Sequence, residues 1–275
     1  MEAEEPLHII GRKHARPAFS EGLGMFMFVL TIALASKNAG PMAPLAIGFM
    51  LGTLVFAFGY ISGGHFNPAV TFGIFLIKKI ERKKALLYVA SQILGGFLGA
   101  LFAYAIIDDQ KAFGAPWPNP AGTDHGSYAF RAFLSEFVYT FVLVSVVLNV
   151  ACSHQKDNDF YGIAIGFTVT SAAWSVGGIS GGSFNPSVAT GLQLVKCFFS
   201  DCQPLAWIWI YWLAPLLGGA VAAFMFKICS TGAEKNREDD SPKRQKKDGT
   251  SSAFTLGTNL GEDVASAAQL EQQMN

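Results

Sequence analysis

A twelve-residue segment occurs twice in this chain. Residues 62–73 read SGGHFNPAVTFG and residues 180–191 read SGGSFNPSVATG, identical at eight of twelve positions. Asn is a favoured helix N-cap, and Pro at the first helical position gives up only an N–H that would have no helical partner there. Each copy therefore starts a helix at its Pro. The apolar runs that follow, 67–77 and 185–195, are about ten residues long, half of what a helical membrane crossing takes.

The chain as a whole is 51% hydrophobic and 15% charged, more apolar than a soluble domain of 275 residues requires. Six stretches, 18–36, 42–61, 84–107, 130–152, 160–177 and 205–229, can cross a hydrocarbon core of about 30 Å as helices. The fold class they imply is all-α, with six transmembrane helices and the two short runs as re-entrant half-helices. A Ser-Glu pair opens the first helix of each half, Ser20-Glu21 and then Ser135-Glu136. Residues 17–107 and 129–229 thus form two repeats joined by loop 108–128, each reading helix, helix, half-helix, helix. Three full crossings per repeat turn the second copy upside down in the membrane, an arrangement that builds a site at the midplane.

Lysines and arginines near the spans set orientation. The segment 1–16 with its Arg12 to Arg16 cluster, the run KKIERKK at 78–84 and the cluster Lys243, Arg244, Lys246 and Lys247 are all expected in the cytoplasm, which puts both termini there and loop 108–128 outside or in a lumen. Residues 230–275 turn charged and polar and are expected to be disordered. The first apolar run continues into a full span without a small-residue cleavage site, so it reads as a retained helix. A formal net charge of zero gives no reason to expect a nucleic-acid partner. Cys152, Cys197, Cys202 and Cys229 form no zinc pattern, and no metal or cofactor is expected; Cys197 and Cys202 can pair if their loop faces an oxidising compartment. No nucleophile and base, and no metal-ligand cluster, can be assembled into one site, so no catalysis is expected.

With the halves inverted, the two short helices enter from opposite faces and their N-termini meet near the centre, each carrying partial positive charge. The runs Gly63 to Phe66 and Gly181 to Phe184 are expected as extended backbone at membrane depth, which is tolerated only where it is buried in protein or lines a wet cavity. Carbonyls of Gly63, Gly64, His65, Gly181 and Ser183 would then offer acceptors, and Asn67 and Asn185 donors, to a water or hydroxylated solute shedding its shell. His65 reads as a satisfied loop histidine. The carboxylates Glu21 and Glu136 read as braces for the loop amides, and Gly95, Gly96, Gly99, Gly218 and Gly219 as points of close helix approach.

Over residues 17–229 the doubled motif resembles the major intrinsic protein family of aquaporins and glycerol facilitators. The resemblance implies a right-handed bundle, a homotetramer in the lipid bilayer with one pore per subunit, and passive flow of water and small neutral solutes such as glycerol, urea or ammonia. It makes Asn67-Pro68-Ala69 and Asn185-Pro186-Ser187 the pore motifs, and Ile47, Gly182 and Val188 constriction positions. The fourth is Ala173 by ungapped counting, or Trp174 if the Gly177-Gly178 pair is matched with one gap, which is the preferred alignment. Val188 stands where most members carry arginine, as in some plant tonoplast intrinsic proteins, which implies a wider and more apolar constriction in a plasma or vacuolar membrane. A tryptophan there would refill the space. Ala189 and Thr190 stand where glycerol facilitators usually carry an aspartate.

Two other classes share parts of this pattern. Secondary transporters also use inverted repeats and broken helices, and an occluded structural membrane protein would keep the bundle without the flux. Saturation and dependence on an ion gradient mark the transporter, and absence of flux marks the occluded protein.

Overall fold

The computed structural model describes residues 7–108, 113–119 and 125–240. The described residues hold α1 (Leu7–Asn38), α2 (Ala43–Ser62), α3 (Pro68–Leu76), α4 (Arg82–Ile106), α5 (His125–Val147), α6 (Tyr161–Ser180), α7 (Pro186–Phe199) and α8 (Ile208–Asp240). Six of them, α1, α2, α4, α5, α6 and α8, are long and apolar enough to cross a membrane, and α3 and α7 are the two short helices that begin at the motif prolines.

Boundaries differ from expectation at the ends. Helix α1 begins at Leu7 instead of 18, and α8 continues to Asp240 through residues expected to be disordered. Extending an existing helix adds a hydrogen bond for each residue fixed, and Ala233, Glu234 and Lys235 are good helix formers, so the change in composition at Thr231 does not stop it. The remaining tail, with its basic cluster, lies outside the described residues. Helix α5 ends in a π turn, Leu148–Cys152, whose freed carbonyls are taken up locally: the Ser153 hydroxyl donates to Asn149 O at 2.6 Å and the Asn158 amide to Val150 O at 2.8 Å. Cys197 and Cys202 are joined in a disulfide just beyond α7.

Glycine decides where the helices touch. A methyl on Gly96 would lie 2.9 Å from Ser187 O, and one on Gly219 2.8 Å from Ala69 O; Gly95 and Gly99 meet the backbone of Gly22 and Phe26 on α1, and Gly218 that of Phe137 on α5. All five are the glycines expected at close approaches. A second crossing, between α2 and α6, was not foreseen. There Gly48 and Gly52 face Gly166 and Gly162, and a methyl on Gly52 would lie 2.8 Å from Gly162 O. The outward faces stay apolar, with Leu86, Leu94, Phe102 and Leu213 among the exposed side chains. Lipid, not water, suits such a surface.

Candidate functional site

Each loop ahead of a short helix is wound by left-handed residues and not extended as expected. Gly63 (φ 98°), Gly64 (63°) and Phe66 (43°) are matched by Gly181 (85°), Gly182 (62°) and Phe184 (51°). Gly63 and Gly181 end α2 and α6 as left-handed C-caps, their N–H groups bonded to Gly59 O and Gly177 O at 2.8 and 2.9 Å. Positive φ at a phenylalanine is strained, at about 1–3 kcal/mol per residue, and survives only where its surroundings enforce it.

The enforcing groups are the two buried carboxylates. Glu21 Oε1 accepts from the Ser62 hydroxyl (2.6 Å) and His65 N (2.9 Å), and Oε2 from Phe66 N (2.6 Å) and the Gln92 amide (2.8 Å). Glu136 Oε1 accepts from the Ser180 hydroxyl (2.8 Å) and Ser183 N (2.9 Å), and Oε2 from Phe184 N (2.6 Å). Both Glu side chains are 0% exposed. Tyr88 donates to Ser62 O, and Tyr211 to Ser180 O, closing each bracket from α4 and α8. The halves differ at one donor, Gln92, because the first loop has a second task. Gln92 also donates to Thr71 Oγ1 (3.0 Å), whose proton goes to Asn67 O (3.0 Å), which leaves Thr71 Oγ1 an acceptor for His65 Nδ1 at 3.1 Å. This network assigns the proton to Nδ1 and leaves Nε2 as an acceptor.

Asn67 and Asn185 cap their helices through Oδ1, accepting from Ala69 N (2.8 Å) and Ser187 N (3.0 Å). Their amide nitrogens cross between the loops. Asn67 Nδ2 donates to Phe184 O and Asn185 Nδ2 to Phe66 O, each at 2.8 Å. An amide has two protons, so Asn67 keeps one for whatever occupies the space between them, while the second of Asn185 faces Met25 Sδ at 3.9 Å. That space is a cavity of about 20 Å³ lined by both Asn residues, His65, Ser183 and an apolar wall that includes Phe28, Leu51 and Val169. A single water needs about 10–15 Å³ of such volume, so the cavity has room for one water-sized molecule.

A second, larger cavity of about 320 Å³ shares Phe28, Val169 and Ser183 with the central one and is lined by Ile47, Ala173, Trp174, Gly181 and Gly182. Ala173 follows Val169 by one helical turn, and a methyl on Gly182 would lie 3.6 Å from its Cα. Trp174 donates its indole N–H to Pro41 O at 2.8 Å and is 53% exposed. Val188 is 2% exposed within the apolar core. Pro68, Ala69, Pro186 and Ser187 are buried in the first turns of α3 and α7.

Segment 113–119, expected as part of a loop, is bonded to α7 and to the end of α6. Gln193 donates to Pro116 O (2.6 Å), Lys196 to Phe113 O (2.7 Å), and Asn119 N and its side-chain amide to Ile179 O and Gly178 O, both at 2.9 Å. The signal available was the run Ala115-Pro116-Trp117-Pro118-Asn119-Pro120, too rigid for a free linker. Among the described residues no cluster of His, Cys, Asp and Glu could hold a metal.

Residues 12–226 match the family described as Major intrinsic protein. The chain is 31% identical over 230 residues to Aquaporin-8 of Rattus norvegicus, covering 82% of this chain and 85% of that protein. It is 31% identical over 218 residues to Glycerol uptake facilitator protein-like 6 of Lactiplantibacillus plantarum, covering 78% and 97%. The fold is similar to that of the aquaglyceroporin from Plasmodium falciparum, at a TM-score of 0.67 and 22% identity over 80% of this chain and 99% of that one.

Proposed function

Because the chain belongs to the major intrinsic protein family, we infer that it is a passive transmembrane channel for water and small uncharged solutes, driven by osmotic or concentration gradients. The observation that carries this is the one-molecule cavity between Asn67 and Asn185. A water there accepts the remaining Asn67 proton and takes that of Asn185 from its weak contact with Met25 Sδ, so its oxygen faces both amides and its own hydrogens point outward along the path. It cannot then receive a proton from either neighbour. The converging N-termini of α3 and α7 add positive potential at the same point, which opposes protons and other cations.

The finer reading is a constriction of Ile47, Ala173, Gly182 and Val188. It contains no arginine and admits glycerol, urea or ammonia beside water. The nearness of Ala173 to Gly182, where an added methyl would lie 3.6 Å from the Ala173 Cα, supports it over Trp174, whose indole is engaged at Pro41. With this goes a likeness to the tonoplast intrinsic proteins in the valine, and a homotetramer with both termini cytoplasmic in a plasma or vacuolar membrane. Segment 78–84, with five basic residues and one acid, supports that orientation. Bracing, rather than ion coupling, is the role of Glu21 and Glu136, since both oxygens of each accept from loop donors. No catalytic step is included.

Solute uptake into proteoliposomes tests the reading. A channel gives rates linear in glycerol concentration; a rate that saturates at millimolar solute indicates a transporter.

A further inference from the structure

On the outside of the bundle a groove of about 240 Å³ is apolar along its length and basic at one end. Phe72 and Phe75 on the back of α3, Leu86 and Val89 of α4 and Trp212 of α8 line it, and Arg82 closes the end. Phe75 also lines the adjoining cavity with Lys78 and Lys79, where the left-handed Lys78 (φ 62°) turns the chain from α3 toward α4. Segment 78–84 sets five cations against the single carboxylate of Glu81, and Arg82 and Lys83 are both exposed. Helix α4 starts here with Glu81 at its N-cap position, whose side chain makes no capping bond, and with no acid in its first turn, so Glu81 is the one carboxylate set against the partial positive charge of the N-terminus and the cations around it.

A free phosphate has no use for the groove, and a neutral lipid has none for the cations. A molecule anionic at one end with an acyl chain at the other uses both. It is also what surrounds a helix whose Leu86 is 62% exposed near the start of a membrane span. We propose that this groove binds an anionic phospholipid, its phosphate against Arg82 and Lys83 and its acyl chain along Val89, Phe72 and Trp212. The groove shares no lining residue with the two cavities of the candidate site described above, although Pro68 and Thr71 of α3 also border it, and the proposal does not depend on which solutes the pore admits.

Trp212 supplies the reporter. Full-length protein in nanodiscs of defined composition is titrated with brominated-chain phosphatidylglycerol or phosphatidylcholine, and the quenching that disappears in Trp212→Phe is followed. The anionic lipid quenches at a mole fraction at least tenfold lower than the zwitterionic one. Arg82→Ala with Lys83→Ala weakens that lipid by roughly 25-fold, from the usual contribution of two cations at an anionic surface. Val89→Phe, which fills the chain path, weakens both lipids, and unchanged water permeability in each variant shows that it folds. Equal quenching by both lipids, a preference that survives the double substitution, unchanged binding in Val89→Phe, or displacement by tail-less glycerol phosphate would each overturn the proposal.

Discussion

The side-chain amide of Asn67 donates to the carbonyl oxygen of Phe184 at 2.8 Å, across 117 residues of sequence. With its reciprocal from Asn185 to Phe66 O, this bond fixes the distance between the two half-helices. The width of the centre is therefore set by the motif side chains themselves.

Asn67→Ala removes the cap on Ala69 N and leaves Phe184 O without its donor. The expected loss is about 2–3 kcal/mol of stability, from a missing N-cap and an unsatisfied buried acceptor, with water permeability falling as the half-helices lose their spacing. Thermal unfolding in detergent and osmotic shrinkage of vesicles check the two effects. Asn185→Ala should behave alike, since its cap and its cross-loop bond are equivalent.

Glu21 accepts four hydrogen bonds and Glu136 three. Glu21→Gln turns an NH2 group toward donors that had faced a carboxylate oxygen and should cost about 3 kcal/mol or more, with a smaller loss for Glu136→Gln. Unfolding temperatures of the two variants give the order. A larger loss at Glu136 contradicts it.

At the proposed constriction, Val188→Arg and Ala173→His should each reduce glycerol or urea flux more than water flux, since each replaces a small apolar side chain by a larger polar one. Trp174→Phe should leave the ratio unchanged, because its indole is held at Pro41. Parallel loss of water and solute in Val188→Arg, or a changed ratio in Trp174→Phe, would show that the opening is bounded by other residues.

Substitutions at glycine should separate by what they meet. A methyl on Gly52 runs into Gly162 O at 2.8 Å, whereas one on Gly177 meets nothing within 4 Å. Gly52→Ala is expected to lose about 1–3 kcal/mol through overpacking. Gly177→Ala, in a helix without positive φ, is expected to gain up to about 1 kcal/mol. Melting temperatures of the two variants test the contrast.

The doubled Asn-Pro motif made the half-helices legible, because capping and proline chemistry act within a few residues. Glu21 and Glu136 were readable as braces because a carboxylate at membrane depth needs donors and the loops had them to give. The left-handed backbone of the loops was missed. A glycine run is compatible with several conformations, and the choice is made by carboxylates on α1 and α5, 41 to 48 residues away in sequence. Counting alone left Ala173 and Trp174 open, since one residue of register on α6 turns a side chain by a quarter turn, and both border the same cavity. The crossed Asn amides and the bonds of segment 113–119 were invisible for the same reason, as both join segments with no local sequence relation.

Stopped-flow light scattering on purified protein in liposomes, with and without an imposed proton gradient, tests the passive-channel account most directly. The account predicts water flux well above that of empty liposomes, unaffected by the gradient and accompanied by no proton leak through the protein. Flux that follows the proton gradient, or none above the empty-liposome rate, would contradict it.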